Sequence, residues 1–273
     1  MSLEVGQYGW YWGPHPETGN RTGFRRSTSI AKRIDNGDLK QWYGGCVAKG
    51  IAQRSDLAAL AVNADGGELR ETVEMAADVG GANEGRIKGS ALHLAVELKA
   101  RGKDPVVTDL IAPQAAAFRR RMTEMDWTFE RVEYQVVNVD LDLPVAGRVD
   151  GMLSAGFPFD LKTSKSVTPY TILAWEVQIA IYARARWRWD DWEDQWVPHE
   201  CDQRWGVAAH VPFHTGDRPP FCDFYMLDLE RGWRYAKIAA ALEATIGADT
   251  KAIRQDMKAW AVNRDQAELG EAA

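Results

Sequence analysis

Residues 147–165 constrain this chain more than any other segment. They read Gly-Arg-Val-Asp-Gly-Met-Leu-Ser-Ala-Gly-Phe-Pro-Phe-Asp-Leu-Lys-Thr-Ser-Lys. Ala155 is the midpoint between Asp150 and Asp160. A three-residue hairpin loop at Ser154, Ala155 and Gly156, with Gly156 taking the left-handed conformation, sets the two aspartates opposite each other on paired strands. Directly opposed side chains have Cβ atoms about 4.5–5.5 Å apart. Lys162, two residues beyond Asp160, falls on the same face. The other face carries Val149, Gly151 and Leu153 against Phe157, Phe159 and Leu161, an apolar underside.

The remainder of the 273 residues is ordinary for a soluble globular protein: 45% hydrophobic and 26% charged. No apolar run reaches membrane-span length, and the first residues lack a charged-then-apolar secretion signal. Cys46, Cys201 and Cys222 are odd in number and far apart, which fits a reducing compartment better than a disulfide framework. The expected location is the cytoplasm, with no membrane partner. A net charge of −6 excludes bulk polycation binding to nucleic acid, so any such binding needs local basic patches. Two candidates are Arg119 to Arg121, better read as a solvated helix face, and Arg184, Arg186 and Arg188 interleaved with Trp187 and Trp189. Of twelve tryptophans, most are expected to pack and one or two to stack on bases.

Turn residues make 1–26 an irregular arm or hairpin. Ser27, Thr28 and Ser29 can cap a short helix, and Asp38 a second one to about residue 62. Gly66 and Gly67 precede a helix over 68–78, and Gly80 and Gly81 break the chain again. Helices follow at 88–99, ended by Gly102, and at 110–125. Period-two patterning then predicts a strand at 131–139 and the hairpin strands. Next come a helix at 170–188, strands at 205–211 and 221–229, and helices at 231–246 and 250–262, with a frayed end at 266–273. The scheme is an α/β sandwich with a helical N-terminal elaboration.

Carboxylates within about 5 Å of each other raise their own pKa values unless a cation lies between them. Hard oxygen donors of this kind suit Mg2+ or Mn2+. A protonated lysine beside that ion is no ligand, but it can orient an attacking water or offset charge on a phosphate. Together these groups describe metal-assisted phosphodiester hydrolysis.

Asp150 followed by Asp160, Leu161 and Lys162 resembles the PD-(D/E)xK nuclease signature, in its proline-free form beginning at Gly147. Gly89 to His93 on an earlier helix, Glu133 on the strand entering the hairpin, and Gln178 to Tyr182 on the following helix resemble the RecB-like exonuclease branch. The resemblance spans roughly 85–230. It implies a restriction-endonuclease-like core, a mixed central sheet flanked by helices. Residues 1–84 would be an arm and helices packed on the core, 85–247 the nuclease core, and 248–273 a C-terminal helix and tail, all in one compact domain. It implies His93, Asp150 and Asp160 as metal ligands, with the Leu161 carbonyl completing the sphere. Lys162 would be the catalytic lysine, acting with Asp150, Asp160 and Glu133. Gln178 and Tyr182 would brace the site and touch DNA, with Thr163 and Lys165 contacting phosphate. With three cysteines, Cys201 and Cys222 twenty-one positions apart, no iron–sulfur cluster is expected. No P-loop is present, so a motor would be a separate protein.

Several residues keep a plainer alternative. A histidine on an apolar helix face is often a satisfied core group; Gly89 and Ser90, which permit close backbone approach, favour the ligand reading. Glu97 is expected at the surface or behind the ligands. Glu133 faces Asp150 if the 139–144 connection is tight, and the opposite side after a one-residue slip. Asp140 and Asp142 suit a turn, and Thr163 and Lys165 equally suit a solvated strand end. The leading function is a metal-dependent DNA exonuclease in recombination, repair or phage DNA processing, with DNA and a recombination or replication protein as partners. The alternatives are a structure- or sequence-specific endonuclease and a non-catalytic DNA-binding module.

Overall fold

The computed structural model describes residues 2–6, 9–34 and 38–270. The N-terminal segment gives strands β1 (Glu4–Val5), β2 (Trp10–Pro14) and β3 (Arg21–Arg26), then α1 (Ser27–Ala31) and a 3-10 turn at Lys32–Ile34. A helical block follows: α2 (Asp38–Gln53), α3 (Ser55–Asn63), α4 (Gly66–Val79), α5 (Ala82–Ala100) and α6 (Ala112–Glu124). The central strands are β4 (Phe129–Asn138), β5 (Val145–Leu153) and β6 (Pro158–Lys162), followed by α7 (Pro169–Ala183). The chain ends with β7 (Trp187–Asp190), β8 (Gln195–Pro198), β9 (Trp205–His210), β10 (Asp223–Asp228) and the 42-residue α8 (Leu229–Gly270). Among the described residues, no helix is long and apolar enough to cross a membrane.

The expected α/β class, a mixed sheet flanked by helices with a helical N-terminal elaboration, is what forms. All ten strands join one sheet in the order β1-β2-β3-β5-β4-β7-β8, and β6, β9 and β10 continue from β5. Strand β5 is its axis. One edge pairs antiparallel with β4 along nearly its whole length. The other edge is shared: β3 runs parallel to its start, at Val145 and Ala146, and β6 runs antiparallel to its end, at Gly151 and Met152. Between those contacts, residues 147–150 face the split where β3 and β6 diverge.

Both faces of the sheet are covered. Trp175, Ile179 and Tyr182 of α7 pack on Tyr134, Val149 and Met152. Leu92 of α5 and Phe118 and Met122 of α6 pack on Leu153, Phe159 and Leu161. The apolar underside expected for the hairpin is therefore divided, because Val149 joins the first cluster and Leu153 the second. Gly151 lies under Phe129, whose ring carbon is 2.5 Å from where a Cβ would stand. Helix α7 starts sharply because Thr168 and Thr171 form a reciprocal capping box and Pro169 opens the first turn.

Several expected boundaries differ. The helix expected at 38–62 breaks at Arg54, whose backbone (φ −131°, ψ 90°) is non-helical. Helix α5 begins at Ala82 rather than 88. Helix α7 stops at Ala183 rather than 188: Trp187 and Arg188 pair with Val137 and Val136, so the free edge of β4 takes this segment as a strand. The basic set at 184–188 is thereby dispersed. Arg184 lies over the Trp233 ring, Arg186 pairs with Asp140 and Glu17, and Arg188 pairs with Asp190. The two helices expected after residue 231 are one, because a single Gly247 costs a helix only about 1 kcal/mol. The end expected to fray is helical to Gly270, and residues 271–273 lie outside those described. Residues 1–26 were open between an arm and a hairpin; β2 and β3 form a hairpin built into the sheet, with residues 1, 7 and 8 outside those described.

Helices α2 and α4 meet backbone to backbone. A Cβ on Gly50 would stand 1.8 Å from the Ala76 carbonyl oxygen, and one on Gly80 would stand 1.9 Å from that of Cys46. Gly50→Ala should gain about 1 kcal/mol of helix propensity but lose more by forcing the helices apart, for a net loss of roughly 1–2 kcal/mol. Urea unfolding reads this as a lowered midpoint. A midpoint at or above that of the wild type would show that the two backbones do not touch.

Candidate active site

The hairpin places the acids where the sequence sets them. Gly156 takes φ 82°, the Leu153 amide bonds to the Phe157 carbonyl (3.0 Å), and the Gly156 amide bonds to that of Leu153 (2.8 Å). The ladder pairs Met152 with Pro158 and Gly151 with Phe159, so one further step puts Asp150 opposite Asp160. That step falls at the fork. There the Leu161 N–H donates to Asp150 Oδ2 at 2.7 Å, so a side chain takes over where backbone pairing ends.

Three donors converge. His93 on α5 brings Nδ1 to 3.3 Å from Asp150 Oδ2. Glu133 on β4 joins them, because β4 pairs Val132 with Gly151 and Tyr134 with Val149, which puts residue 133 level with Asp150. The question of a one-residue slip is thereby answered. One ligand atom from each of His93, Glu133 and Asp150 lies within 4.8 Å of the others. Glu133 adopts φ 51°, a left-handed conformation that glutamate rarely takes and that costs on the order of 1–3 kcal/mol. The sequence reading gave Glu133 a catalytic role outside the ligand set; the structure groups its carboxylate with His93 and Asp150.

Asp160 stands beside this group, with both oxygens engaged. Its Oδ2 is ion-paired with Lys162, and its Oδ1 accepts from Gln178 Nε2 at 2.9 Å. Lys162 Nζ also donates to Gln178 Oε1 at 2.9 Å, and Gln178 Nε2 donates to the Tyr182 hydroxyl at 2.9 Å. Gln178 and Tyr182 are buried, and each is linked by hydrogen bonds into the cluster. Leu161 is buried on β6 in parallel register with Ala209. Thr163 approaches α5 closely: a Cβ on Gly89 would lie 2.9 Å from its Oγ1. Lys165 is exposed in the loop beyond β6. Glu97 pairs with Arg101.

The site opens into a cavity of about 460 Å3 lined by Arg86, Ser90, His93, Glu133, Arg148 and Thr163. Arg148 is ion-paired with Glu133 and was not among the expected residues. Its signal was present: it lies two positions before Asp150, on the same face of a strand.

Burial, then the negative charge of Asp160, pushes Asp150 well above the ordinary carboxylate range, against the pull of the Leu161 N–H. Burial also raises Glu133, against the pull of Arg148. Burial lowers His93, against the charge of Asp160, and favours a neutral imidazole with a free lone pair. Carboxylates held against ionisation beside a neutral imidazole are a donor set lacking positive charge. Two carboxylate oxygens and one imidazole nitrogen are a donor set of the kind that holds a divalent metal ion.

No protein-family model matches the chain, and no curated protein matches it. Among solved structures, it is similar to an alkaline exonuclease (LHK-Exo) from Laribacter hongkongensis, at 10% identity over 81% of this chain and 99% of that one, with a TM-score of 0.36. The complex of LHK-Exo with dAMP gives 13% identity, 62% and 93% coverage, and a TM-score of 0.37. SSO0001 gives 13%, 78% and 84%, and 0.32. With TM-scores below 0.5, the reading of function rests on the residues of the site.

The raised carboxylates fix the sign of a pH effect. Between their ordinary and raised pKa values, the folded protein holds more protons than the unfolded chain. Stability is then full at low pH and falls as pH rises through the folded-state values. For metal-free protein, Asp150→Asn removes one such charge while leaving an acceptor for Leu161. It should raise the melting temperature at pH 8 by about 2–4 °C, with the gain shrinking toward pH 5. Mg2+ should reverse the order by stabilising the wild type more. Equal melting temperatures at pH 8 would show that Asp150 bears no penalty for ionising.

Proposed function

We propose that this protein is a divalent-metal-dependent deoxyribonuclease of the PD-(D/E)xK kind, acting as an exonuclease in DNA recombination, repair or phage DNA processing. One observation carries the reading: three metal-competent donors converge beside a lysine whose carboxylate and amide partners fix its position. His93, Glu133 and Asp150 would hold the ion, with Asp160 and the Leu161 carbonyl adjoining it, and Mg2+ or Mn2+ fits this donor set. When bound, the ion supplies Lewis acidity toward a phosphate oxygen.

The chain's own residues do the rest. Lys162, ion-paired with Asp160, presents an N–H to the water that attacks phosphorus, or to the phosphate as negative charge builds. Gln178 keeps the ammonium from swinging away. Arg86 and Arg148 line the cavity beside Glu97 and Glu133, and their guanidinium groups are the ones there that suit a phosphodiester backbone. Thr163, at the close approach of α5 and β6, offers a hydroxyl to phosphate. The exonuclease mode, Lys165 as a phosphate contact, and a recombination or replication protein as partner rest on the resemblance of the motifs.

Lys162→Ala should reduce hydrolysis about 100- to 1,000-fold while DNA affinity stays close to that of the wild type. Asp150→Ala should lose metal binding as well, seen by calorimetry with Mn2+. Undiminished cleavage by Lys162→Ala would remove the lysine from the mechanism. Linear and covalently closed circular DNA, each incubated with Mn2+, report the mode: loss of the linear form alone marks an exonuclease, and cutting of the circle an endonuclease.

A further inference from the structure

The segment before the core reaches the site through one buried residue. Strand β3 runs parallel to β5 with Arg25 beside Val145 and Arg26 beside Ala146, so the next step sets Ser27 beside Gly147. Ser27 is 1% exposed. Helix α1 is not capped by a side chain; its N-cap is Arg26. The Ser27 hydroxyl donates instead to the Tyr182 hydroxyl at 3.1 Å. Gly147 makes the contact possible: a Cβ there would stand 2.1 Å from Tyr182 Cε1 and 2.8 Å from Ser27 Oγ. Helix α1, strand β5 and helix α7 thus close on one phenol.

That phenol is one of three partners that hold Gln178 the way round it sits. The amide gives Nε2 to Tyr182 and Asp160, and Oε1 to Lys162. Flipped, it would set Oε1 against the Asp160 carboxylate and Nε2 against an ammonium. A phenol without Ser27 is free to turn its own proton toward Gln178, which opposes the Nε2 donor and leaves Asp160 and Lys162 as the amide's remaining anchors.

From this geometry, and resting on the nuclease reading, we infer that Ser27 is a positioning residue for Lys162, acting through Tyr182 and Gln178. The start of helix α1, which lies outside the motif-bearing segment, is therefore part of the catalytic apparatus rather than a covering for it. The hydroxyl touches neither substrate nor metal, so its loss should lower turnover and leave ground-state binding alone.

The test is a double-mutant cycle with Ser27→Ala, Tyr182→Phe and the double variant of the full chain. Ser27→Ala should reduce kcat roughly five- to tenfold, the worth of one neutral hydrogen bond. KM, and DNA affinity measured with Ca2+ in place of the working metal, should not change. In the Tyr182→Phe background, Ser27→Ala should have no further effect on kcat, because the path is already cut. An undiminished loss in that background, or a wild-type kcat for Ser27→Ala itself, overturns the inference. A second readout needs no activity. In metal-free protein, the side-chain NH2 resonances of Gln178 should shift or broaden in Ser27→Ala, and unmoved resonances overturn the inference independently. A wild-type protein that cuts no DNA with any divalent ion sinks the nuclease reading, while the amide resonances still report whether Ser27 governs Gln178.

Discussion

A carboxylate stands where a β-ladder comes apart. Strand β5 has two neighbours on one edge, β3 and β6, and they cannot both follow it along its length. At the fork, the Leu161 N–H has left the ladder, and Asp150 Oδ2 accepts it. An orphaned amide costs about 1–3 kcal/mol when buried, so the aspartate is first a structural acceptor. The same bond aims its carboxylate at His93 and Glu133. The opening that exposes a site and the bond that stabilises the opening are one feature.

The charges at the fork are balanced in two different ways. Asp160 has Lys162 and Gln178 on its two oxygens and is satisfied from within the chain. Asp150 and Glu133 are not fully offset: burial holds both above the ordinary range even with Arg148 and the Leu161 amide beside them. A protein that buries unbalanced carboxylates loses stability unless a cation from outside joins them. The backbone of Glu133, at φ 51°, adds a further local cost at the same place.

Helix α7 shows how an ordinary element is bound to this chemistry. It is buried over most of its length against the sheet, and Gly232 lets α8 approach so closely that a Cβ would stand 2.2 Å from the Glu176 carbonyl oxygen. Glu176, buried beneath, pairs with Arg231. Pinned on both sides, α7 presents Gln178 and Tyr182 one turn apart toward the fork with little freedom. Lys162, a long and flexible side chain, derives its order from that rigidity.

Much of this was legible in the sequence wherever partners are close along the chain. Gly156 in a three-residue loop set the register of Asp150 against Asp160, and period-two spacing put Lys162 on their side; both follow from strand geometry alone. One misreading came where a distant partner outweighed local pattern, as the edge of β4 drew 187 and 188 out of a helix; another came from giving Gly247 more weight as a helix breaker than its small cost carries. Only the fold could bring Ser27 to Tyr182 across 155 positions, pair Arg148 with Glu133, or seat Glu133 in a left-handed conformation. The sequence determined which side chains share a strand face, because pleating is a local property. The tertiary structure decided which strands meet and where they part, because that depends on burying the sheet's two faces at once.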